Sequence, residues 1–436
     1  MFRKDSLRPS LLAVVCLAVA FAGQSAHAST VAVGNCKSNV PQFSTISAAV
    51  TAVPTGGTVD VCPGTYPEQV LITKNLTLLG IASGTSDAAV VVPPAAGLVS
   101  NGSDIFGNPV AAQIFVQGAN VTVSHLTVDG TGNNLAGCGA PTLEGIYFQN
   151  ATGKITDDVV RNQYQTDFTD YGGCQNGLAI NVESLTNTAT VTISDNSVRA
   201  YQKNGITATG AATGPGSPGP SVAITANYIV GLAATSMNWP GGAAENGVQV
   251  GFGAGGSVTG NTVNDNIWYA DDASQPGNAA SGILVYASSG ITISANSVGS
   301  AQFGITVDTD PTYGPADSNV ISSNKVSGTQ IFDAIDLCSS SNSARTNTVY
   351  GSAESGIHVD DSCGSGNNNT VTGNTINEAC AGVLLGTGTG NVTSPNTFFN
   401  VTNTTLAGDV CTPTPQRGAK RSATKPRPSP FTPNRK

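Results

Sequence analysis

The residues with the clearest capacity for chemistry lie in one short segment, GIHVDD (356–361). The segment holds His358, Asp360 and Asp361, although residues 29–436 contain only one other histidine and only 10% of the chain is charged. An imidazole beside carboxylates can donate, accept or relay protons near neutral pH. What this segment does depends on the elements that position it and on the residues that come to lie beside it.

Two short patterns recur along the chain and predict a solenoid of stacked coils. One reads Gly-apolar-x-apolar, as in GIYF (145–148), GLAI (177–180), GITV (304–307) and GIHV (356–359). The alternation of apolar residues, with many Val, Ile and Thr, predicts short strands that bury one face. The other pattern reads apolar-x-apolar-x-x-Asn-x-apolar. Its asparagines are Asn196, Asn227, Asn261, Asn296, Asn324, Asn347, Asn374 and Asn396.

These asparagines are expected to take the left-handed conformation at the turn between strands and to stack from coil to coil. A helical apolar period occurs at residues 44–53, after a Ser/Thr N-cap. That segment is expected to form a helix that caps the open first coil, as the ends of solenoids require.

The repeats and the opening segment FSTISAAVTAVPTGGTVDVCPGTYPEQVLITKNLTLLG (43–80) resemble the pectin-lyase-like superfamily. The resemblance covers about residues 31–410. It implies an all-β chain folded as a single-stranded right-handed parallel β-helix solenoid with an N-terminal capping helix. The handedness is what the resemblance implies.

The ends of the chain differ in composition from the repeats. Residues 1–28 are predicted to be a signal peptide, because a basic start and an apolar run precede the small-x-small sequence at 26–28. The β-helix domain is expected over residues 29–411. Residues 412–436 hold seven basic residues and no acidic one, and are expected to be a disordered, Pro-rich tail that folding does not need. The mature chain is therefore expected to be secreted, periplasmic or at the cell surface, with no membrane span.

Eight cysteines remain once the signal peptide is removed. An even number in an exported chain without a C-x-x-C pair predicts disulfides rather than a zinc site. Nearest neighbours are expected to pair, beginning with Cys36 and Cys62. The eight are Cys36, Cys62, Cys138, Cys174, Cys338, Cys363, Cys380 and Cys411.

The charge balance restricts the partners. Residues 29–411 carry 8 basic and 26 acidic residues, a net charge of −18. Such a surface repels nucleic acid and anionic membranes. An extracellular polysaccharide, neutral or bridged by cations, is the expected partner.

Aligning the coils on the Gly-apolar strand places outward side chains in columns. Asp336 and His358 fall in one column, and Tyr286, Asp308 and Asp360 in the next. Because coils are about 4.8 Å apart, Asp336 and His358 are expected to be neighbours, and Asp308 and Asp360 about 10 Å apart. Carboxylates several ångströms apart can act as acid and base in inverting glycoside hydrolysis. Asp336, His358, Asp360 and Asp308 are therefore the candidate catalytic residues.

Aromatic residues near these coils are candidates for substrate binding. Trp239 and Trp268 occur in unusually long segments between a turn asparagine and the next Gly-apolar strand, and Tyr269 follows directly. With Tyr286, they are expected to contact sugar rings, because aromatic faces stack on sugars.

Other interpretations stay open at this point. The acidic residues could be ordinary water-facing side chains of a non-catalytic structural or glycan-binding solenoid. They could hold Ca²⁺, which prefers clustered oxygen ligands, and no other cofactor or metal is expected. Arg161 and Arg199 are expected to stack on adjacent coils, where one could serve as the base of a cation-dependent polysaccharide lyase. Their simpler role is pairing with Asp157, Asp158 and Asp195.

Overall fold

The computed structural model describes residues 1, 29–82, 88–167, 174–186, 188–211, 218–232, 236–237, 244–267, 269–270, 278–330, 332–364, 366–408 and 427–428. Trp239 and Trp268 lie outside these residues, as do residues 2–28 and nearly all of residues 412–436.

The first part of the chain forms short strands around one helix, α1 (Ile46–Ala52). The strands are β1 (Thr30–Val33), β2 (Gln42–Phe43), β3 (Gly57–Val61), β4 (Gly64–Pro67), β5 (Val70–Ile72), β6 (Leu76–Gly80), β7 (Ala89–Val92), β8 (Gly102–Ser103), β9 (Pro109–Gln117), β10 (Asn120–Ser124), β11 (Thr127–Asp129), β12 (Thr142–Gln149), β13 (Thr152–Thr156), β14 (Val159–Gln163), β15 (Leu178–Glu183), β16 (Thr190–Ser194), β17 (Ser197–Tyr201), β18 (Asn204–Thr209), β19 (Ser221–Thr225) and β20 (Tyr228–Val230).

The second part continues the same pattern to the last coil. Its strands are β21 (Ser236–Met237), β22 (Asn246–Gly251), β23 (Gly255–Thr259), β24 (Thr262–Asn266), β25 (Tyr269–Ala270), β26 (Asn278–Ala279), β27 (Ser281–Tyr286), β28 (Thr292–Ser294), β29 (Ser297–Ala301), β30 (Phe303–Asp308), β31 (Val320–Ser322), β32 (Lys325–Gln330), β33 (Ile335–Cys338), β34 (Ser343–Arg345), β35 (Thr348–Val359), β36 (Thr370–Thr372), β37 (Thr375–Leu385), β38 (Thr397–Ala407) and β39 (Arg427–Pro428).

The coils stack through three parallel ladders. The first ladder is a 13-stranded sheet that runs from β2 and β1 to β36. The second contains β11, β14, β17, β20, β24, β29 and β32, and the third contains β9, β12, β15, β18, β22, β27, β30 and β33. The long strands β35 and β37 belong to both the second and the third. Each coil therefore contributes one strand to each ladder, which is the architecture of a parallel β-helix.

The apolar residues of all three ladders meet inside the coils and form one continuous core, dominated by Val and Ile. Helix α1 adds Ile46, Ala49 and Val50 to this core, and the Thr45 side chain accepts a hydrogen bond from the Ala48 amide at 3.2 Å. The helix therefore forms where the apolar period predicts it. Its function as an end cap stays a prediction.

The predicted asparagines stack at the corner between the first and second ladders. The Asn196 side-chain amide donates to Asn227 Oδ1 at 2.9 Å, and the same bond joins each asparagine to the next as far as Asn396. All eight asparagines of the predicted series take part. We call this row the asparagine ladder.

The left-handed turn residue, however, is not the asparagine. The residue before it has the positive φ, as at Asp195 (59°), Ala226 (57°) and Ala295 (55°). The expectation that asparagine takes this conformation is wrong. The reason is that each asparagine side chain has to point inward along the ladder, so the chain reverses direction one residue earlier.

Three predicted disulfides form within the described residues: Cys36–Cys62, Cys138–Cys174 and Cys338–Cys363. Cys380 is also disulfide-bonded, to a partner outside the described residues. Disulfides persist in oxidising compartments, which is consistent with an extracellular protein. Among the described residues, no helix has the length and apolarity to cross a membrane.

Candidate functional site

The strand register confirms the predicted columns on the outward side of the third ladder, which we call the outer face. Asp336 pairs with His358 on the next strand, and Tyr286 pairs with Asp308. Asp360 directly follows β35, and its amide donates to the Leu337 carbonyl at 3.1 Å. The chain therefore brings all four candidate catalytic residues to adjacent coils.

The burial of these residues differs from expectation. Asp308, Asp336, His358 and Asp360 are only 1%, 2%, 2% and 5% exposed, so the interpretation of them as water-facing side chains is wrong. One cause is visible in the turn after β35. The disulfide to Cys338 holds Cys363 over the outer face, with its Sγ 2.7 Å from Asp308 Oδ1.

A fifth residue, Asp333, completes the group. Asp333 Oδ2 lies 3.2 Å from His358 Nδ1, and its Oδ1 accepts a hydrogen bond from Ser355 Oγ at 2.6 Å. One ligand atom each of Asp333, Asp336 and His358 lies within 4.8 Å of the others. We call Asp308, Asp333, Asp336, His358 and Asp360 the aspartate–histidine cluster.

The contact between Asp333 and His358 determines how the imidazole can act. A carboxylate that accepts from Nδ1–H fixes the tautomer, so Nε2 is the nitrogen that exchanges a proton in the neutral ring. With Asp336 beside it, the imidazole is placed to transfer a proton to or from a carboxylate. The arrangement can supply acid and base groups at one position.

The ligand atoms bear on the calcium expectation. Asp333, Asp336 and His358 offer two carboxylates and an imidazole, whereas Ca²⁺ prefers oxygen ligands alone. A mixed set of this kind suits a transition ion better. Asp308 also lies beside Cys338 and Cys363, but these two sulfurs form a disulfide and supply no thiolate. Calcium binding stays a prediction.

Of the predicted sugar-contacting residues, Tyr286 has a described side chain, and that side chain is buried. Tyr286 is 8% exposed, and its hydroxyl donates to the Asp310 carboxylate. Its ring packs against Phe252 at a centroid distance of 5.4 Å. Burial, reinforced by the bond to Asp310, raises the pKa of Tyr286. Tyr269 contributes its backbone to β25, while Trp239 and Trp268 lie outside the described residues.

A second acidic group lies on the outer face, nearer the N terminus. The Asn181 side-chain amide donates to Glu144 Oε1 at 3.1 Å and to Glu183 Oε1 at 3.2 Å. Tyr147 donates its hydroxyl to Glu183 Oε2 at 2.7 Å. All four side chains are buried, and Tyr147 stacks on Phe115 with centroids 4.9 Å apart. We call Glu144, Tyr147, Asn181 and Glu183 the glutamate cluster.

Burial dominates the electrostatics of this second cluster. It raises the pKa of Glu183 to about 7, with the Asp104 carboxylate adding to the rise and the Tyr147 and Asn181 bonds opposing it. Burial and the charge of Glu183 raise the pKa of Glu144 well above its usual range. Glu144 Oε2 has no hydrogen-bond partner. The cluster therefore keeps at least one proton at neutral pH.

Comparison with known proteins agrees with this architecture. A family model described as the right-handed β-helix region matches residues 220–399. The chain therefore has the fold of a right-handed parallel β-helix. No curated protein matches its sequence.

Solved structures resemble this β-helix in fold at low sequence identity. The lacto-N-biosidase of Eubacterium ramulus is 11% identical with a TM-score of 0.56, over 85% of this chain and 67% of that one. The Dettilon tailspike protein is 16% identical with a TM-score of 0.56, and the match covers 81% of this chain but only 62% of the tailspike. The surface adhesin PfbA of Streptococcus pneumoniae is 12% identical with a TM-score of 0.53, over 83% and 86% of the two chains.

Sequence reasoning missed the glutamate cluster because of one frame error. Aligning GLAI (177–180) on Gly177 is wrong by two residues, since Ile180 pairs with Ile146 and Ala179 takes the place of Gly145. In the correct frame, Glu183 pairs with Gln149 and falls in the column of Asp308 and Asp360. The sequence signal for the correct frame is the alternating run AINVE (179–183), in which alanine stands where other coils have glycine.

Arg161 and Arg199 pair in register, as expected for neighbouring coils. Arg161 Nε, however, bonds to Asp129 Oδ2 at 2.7 Å, so the expectation of Asp157, Asp158 and Asp195 as its partners missed this carboxylate. Burial acts to raise the pKa of Asp129, but bonds from Thr131, Asn162 and Arg161 hold it below its usual value. A guanidinium paired with an ionised carboxylate is a poor base, which weighs against a lyase mechanism.

Proposed function

We propose that the protein binds an extracellular polysaccharide along the outer face and cleaves it at the aspartate–histidine cluster by inverting glycoside hydrolysis. The single observation that carries the proposal is the convergence of carboxylates and an imidazole on consecutive coils. A chain with few ionisable groups places five of them together. Buried titratable groups brought together in this way are candidates for a functional site.

The spacing suits a water-mediated inversion. Asp360 lies one coil and two residues from Asp336, which corresponds to about 8 Å between their backbone positions at a strand spacing of about 4.8 Å and a rise of about 3.3 Å. Inverting enzymes separate their carboxyl groups by roughly 6.5–9.5 Å to admit a water molecule. Asp336 would protonate the leaving oxygen, and Asp360 would activate the water. His358, oriented by Asp333, would exchange protons with Asp336, and Asp308 lies at the edge.

The fold supports a carbohydrate partner. The solved structures that share it include a lacto-N-biosidase, a tailspike protein and a surface adhesin. Export as a secreted or surface protein, with the basic tail outside the β-helix, belongs to the same proposal. So does contact of the sugar with Trp239, Trp268, Tyr269 and Tyr286. Because the cluster is buried, a bound polymer has to displace the residues that cover it.

That burial also favours a second candidate, a non-catalytic glycan-binding or structural β-helix. In this case the Asp333–His358 pair and the Cys338–Cys363 disulfide would stabilise the last coils and nothing more. The two candidates differ in one observable, the release of product from a bound glycan.

The test is a panel of neutral and acidic polysaccharides assayed in parallel for binding and for new reducing ends. Asp336→Asn is expected to lower the cleavage rate by about 10³-fold while binding is kept, because it removes a proton donor without changing size. Asp361→Asn is the matched control. It makes the same change of side chain, but the Asp361 carboxylate bonds to the Thr387 amide, outside the cluster.

Cleavage by Asp336→Asn at the wild-type rate would place the reaction elsewhere. Binding without product from the wild-type protein would establish the non-catalytic candidate.

A further inference from the structure

The glutamate cluster lies beneath a compact loop of residues 101–109. Its short strand β8 pairs antiparallel with the start of β9. Asp104 closes the turn, since its Oδ1 accepts from the Phe106 and Asn108 amides at 2.8 Å each. Gly102 lies so close to the Phe115 ring that a Cβ there would approach it to 2.3 Å. The loop therefore rests directly on the outer face.

Hydrogen bonds join this loop to three strands below it. On β9, the Ala112 amide donates to Asn101 Oδ1 at 3.0 Å, and the Asn101 side-chain amide donates to the Ala112 carbonyl at 2.8 Å. The Ile105 amide donates to Glu183 Oε2 at 3.3 Å, and the Gln149 side-chain amide donates to the Ser103 carbonyl at 2.6 Å. Glu183 is fully buried in this arrangement. Lifting the loop would uncover the carboxyl group and let water replace the Ile105 amide.

The groups that face Glu183 explain its response to pH. Glu144 and Tyr147 face it from β12, and Asp104 faces it from the loop itself. On the other side, β18 presents Thr209, which does not ionise. No cation appears among these neighbours. The closed loop therefore surrounds Glu183 with acids and apolar packing, and this surrounding favours the protonated carboxyl.

We infer that Glu183 is a proton-binding latch: loop 101–109 stays closed over the outer face while Glu183 carries a proton and is released as Glu183 ionises. The sign follows from linkage, because closure buries Glu183 and brings the Asp104 carboxylate beside it. These two effects raise its pKa more than the hydrogen bond from the Ile105 amide lowers it. Closure is strongest below the carboxyl's ordinary pKa of 4.5 and weakens as the pH rises to about 7, the value in the closed state. The inference does not depend on the proposed function.

The latch would control how much of the outer face is available to a ligand. The loop lies over β9, β12 and β15, at the opposite end from the aspartate–histidine cluster. About four strand steps separate Glu183 from Asp308 along the third ladder, or roughly 19 Å. Neutral or alkaline pH would therefore extend the exposed part of this face toward the N terminus.

The experiment is hydrogen–deuterium exchange of the peptide that covers residues 101–109, in the full-length protein between pH 4.5 and 8. After correction for intrinsic exchange, protection is expected to fall as the pH rises. The fall should be smaller than the roughly 300-fold that a full change of the pKa from about 7 to 4.5 would give, because Tyr147, Asn181 and Glu144 belong to the strands and not to the loop. The peptide of residues 309–316, whose turn is closed by the partly exposed carboxylate of Asp310, is the internal control.

Two variants separate a latch from general loosening. Glu183→Gln keeps the acceptor for the Ile105 amide but cannot ionise, so protection should become independent of pH. Asp104→Asn removes the charge that raises the pKa of Glu183, so the midpoint should move to lower pH. A flat wild-type profile overturns the inference, as does an unchanged slope in Glu183→Gln. Should that variant fail to fold, an unmoved midpoint in Asp104→Asn decides against the latch.

Discussion

The two acidic clusters share one face of the same β-helix but stabilise their carboxyl groups differently. In the glutamate cluster, the described partners are an amide, a phenol and a backbone N–H, and the surrounding acids raise the pKa values. In the aspartate–histidine cluster, Asp333 pairs with an imidazole that can carry the opposite charge. The glutamate cluster favours protonated carboxyl groups, whereas the aspartate–histidine cluster contains carboxylates and an imidazole that can exchange protons. Both clusters lie on the same β-helix with the same spacing between coils. The difference therefore arises from one basic residue, His358.

Neutralising one acid in each cluster should sharpen this contrast. Asp333→Asn is expected to destabilise the fold by about 4 kcal/mol at neutral pH, because it leaves a buried imidazole without its carboxylate. Glu144→Gln is expected to stabilise it by about 2 kcal/mol, because folding no longer requires proton uptake by a buried carboxyl. Chemical denaturation at pH 7 measures both changes.

The pH dependence provides the control for these two variants. The folded pKa of Glu144 is raised, so the wild-type penalty is absent below about pH 4.5 and grows as the pH increases. The advantage of Glu144→Gln should therefore disappear at pH 4. Effects of the same sign in both variants would contradict the distinction between the clusters.

Removing disulfides should affect the two regions unequally. Cys338→Ser with Cys363→Ser and Cys138→Ser with Cys174→Ser each remove a cross-link, with sequence separations of 25 and 36 residues. Each is expected to cost about 3 kcal/mol by releasing loop entropy in the unfolded chain. Only the first should also reduce cleavage, because Cys363 contacts Asp308 and the Ser362 amide bonds to Asp360 Oδ1 at 2.8 Å.

Denaturation midpoints and product release, measured on the same preparations, test this expectation. Equal loss of cleavage in both double variants would mean that the disulfide acts on global stability alone, without a local effect on the aspartate–histidine cluster.

The periodic parts of the molecule could be predicted from sequence, because one residue type repeats at one structural position. The asparagine ladder was predicted residue by residue, and the pairing of Asp336 with His358 followed from aligning glycines. Both depend only on coil-to-coil spacing. The cysteine pairs followed the same logic, since neighbouring coils bring neighbouring cysteines together.

The non-periodic parts could not be predicted in this way. The cover over Glu183 comes from loop 101–109, whose position depends on Asp104 and Gly102 rather than on a repeat. Asp333 was missed because it comes just before AIDL (334–337). This segment is a variant of the Gly-apolar pattern with alanine in place of glycine. Loops of this kind bury the outer face. The alternating pattern of the strands does not predict which residues these loops cover.

A third buried acid, Asp158, provides the finest test of how environment determines protonation. It lies at the equivalent position one coil before Asn196, the first residue of the ladder. Its Oδ1 accepts from the Leu126 amide at 2.8 Å, and its own amide donates to Asn196 Oδ1 at 2.9 Å. Its Oδ2 has no hydrogen-bond partner. In the ladder, the equivalent atom of Asn196 is Nδ2, which donates to the Ile155 carbonyl. Burial raises the pKa of Asp158 well above its usual value. Burial therefore favours the protonated form of Asp158, which can take the place of an asparagine.

Asp158→Asn should accordingly stabilise the protein by about 1 kcal/mol at pH 7, since the new amide can donate along the ladder as Asn196 does to the Ile155 carbonyl. The sign follows from the raised pKa. The wild-type carboxyl has to take up a proton on folding at pH 7 but not below about pH 3.8, so most of the gain should vanish in acid. Thermal denaturation at pH 3.5 and pH 7 measures the difference. A matched variant, Asn196→Asp, should lose stability at pH 7 and recover part of it in acid. If Asp158→Asn instead destabilised the protein at both pH values, Asp158 would be an ionised carboxylate with a donor of its own and would not take the place of an asparagine.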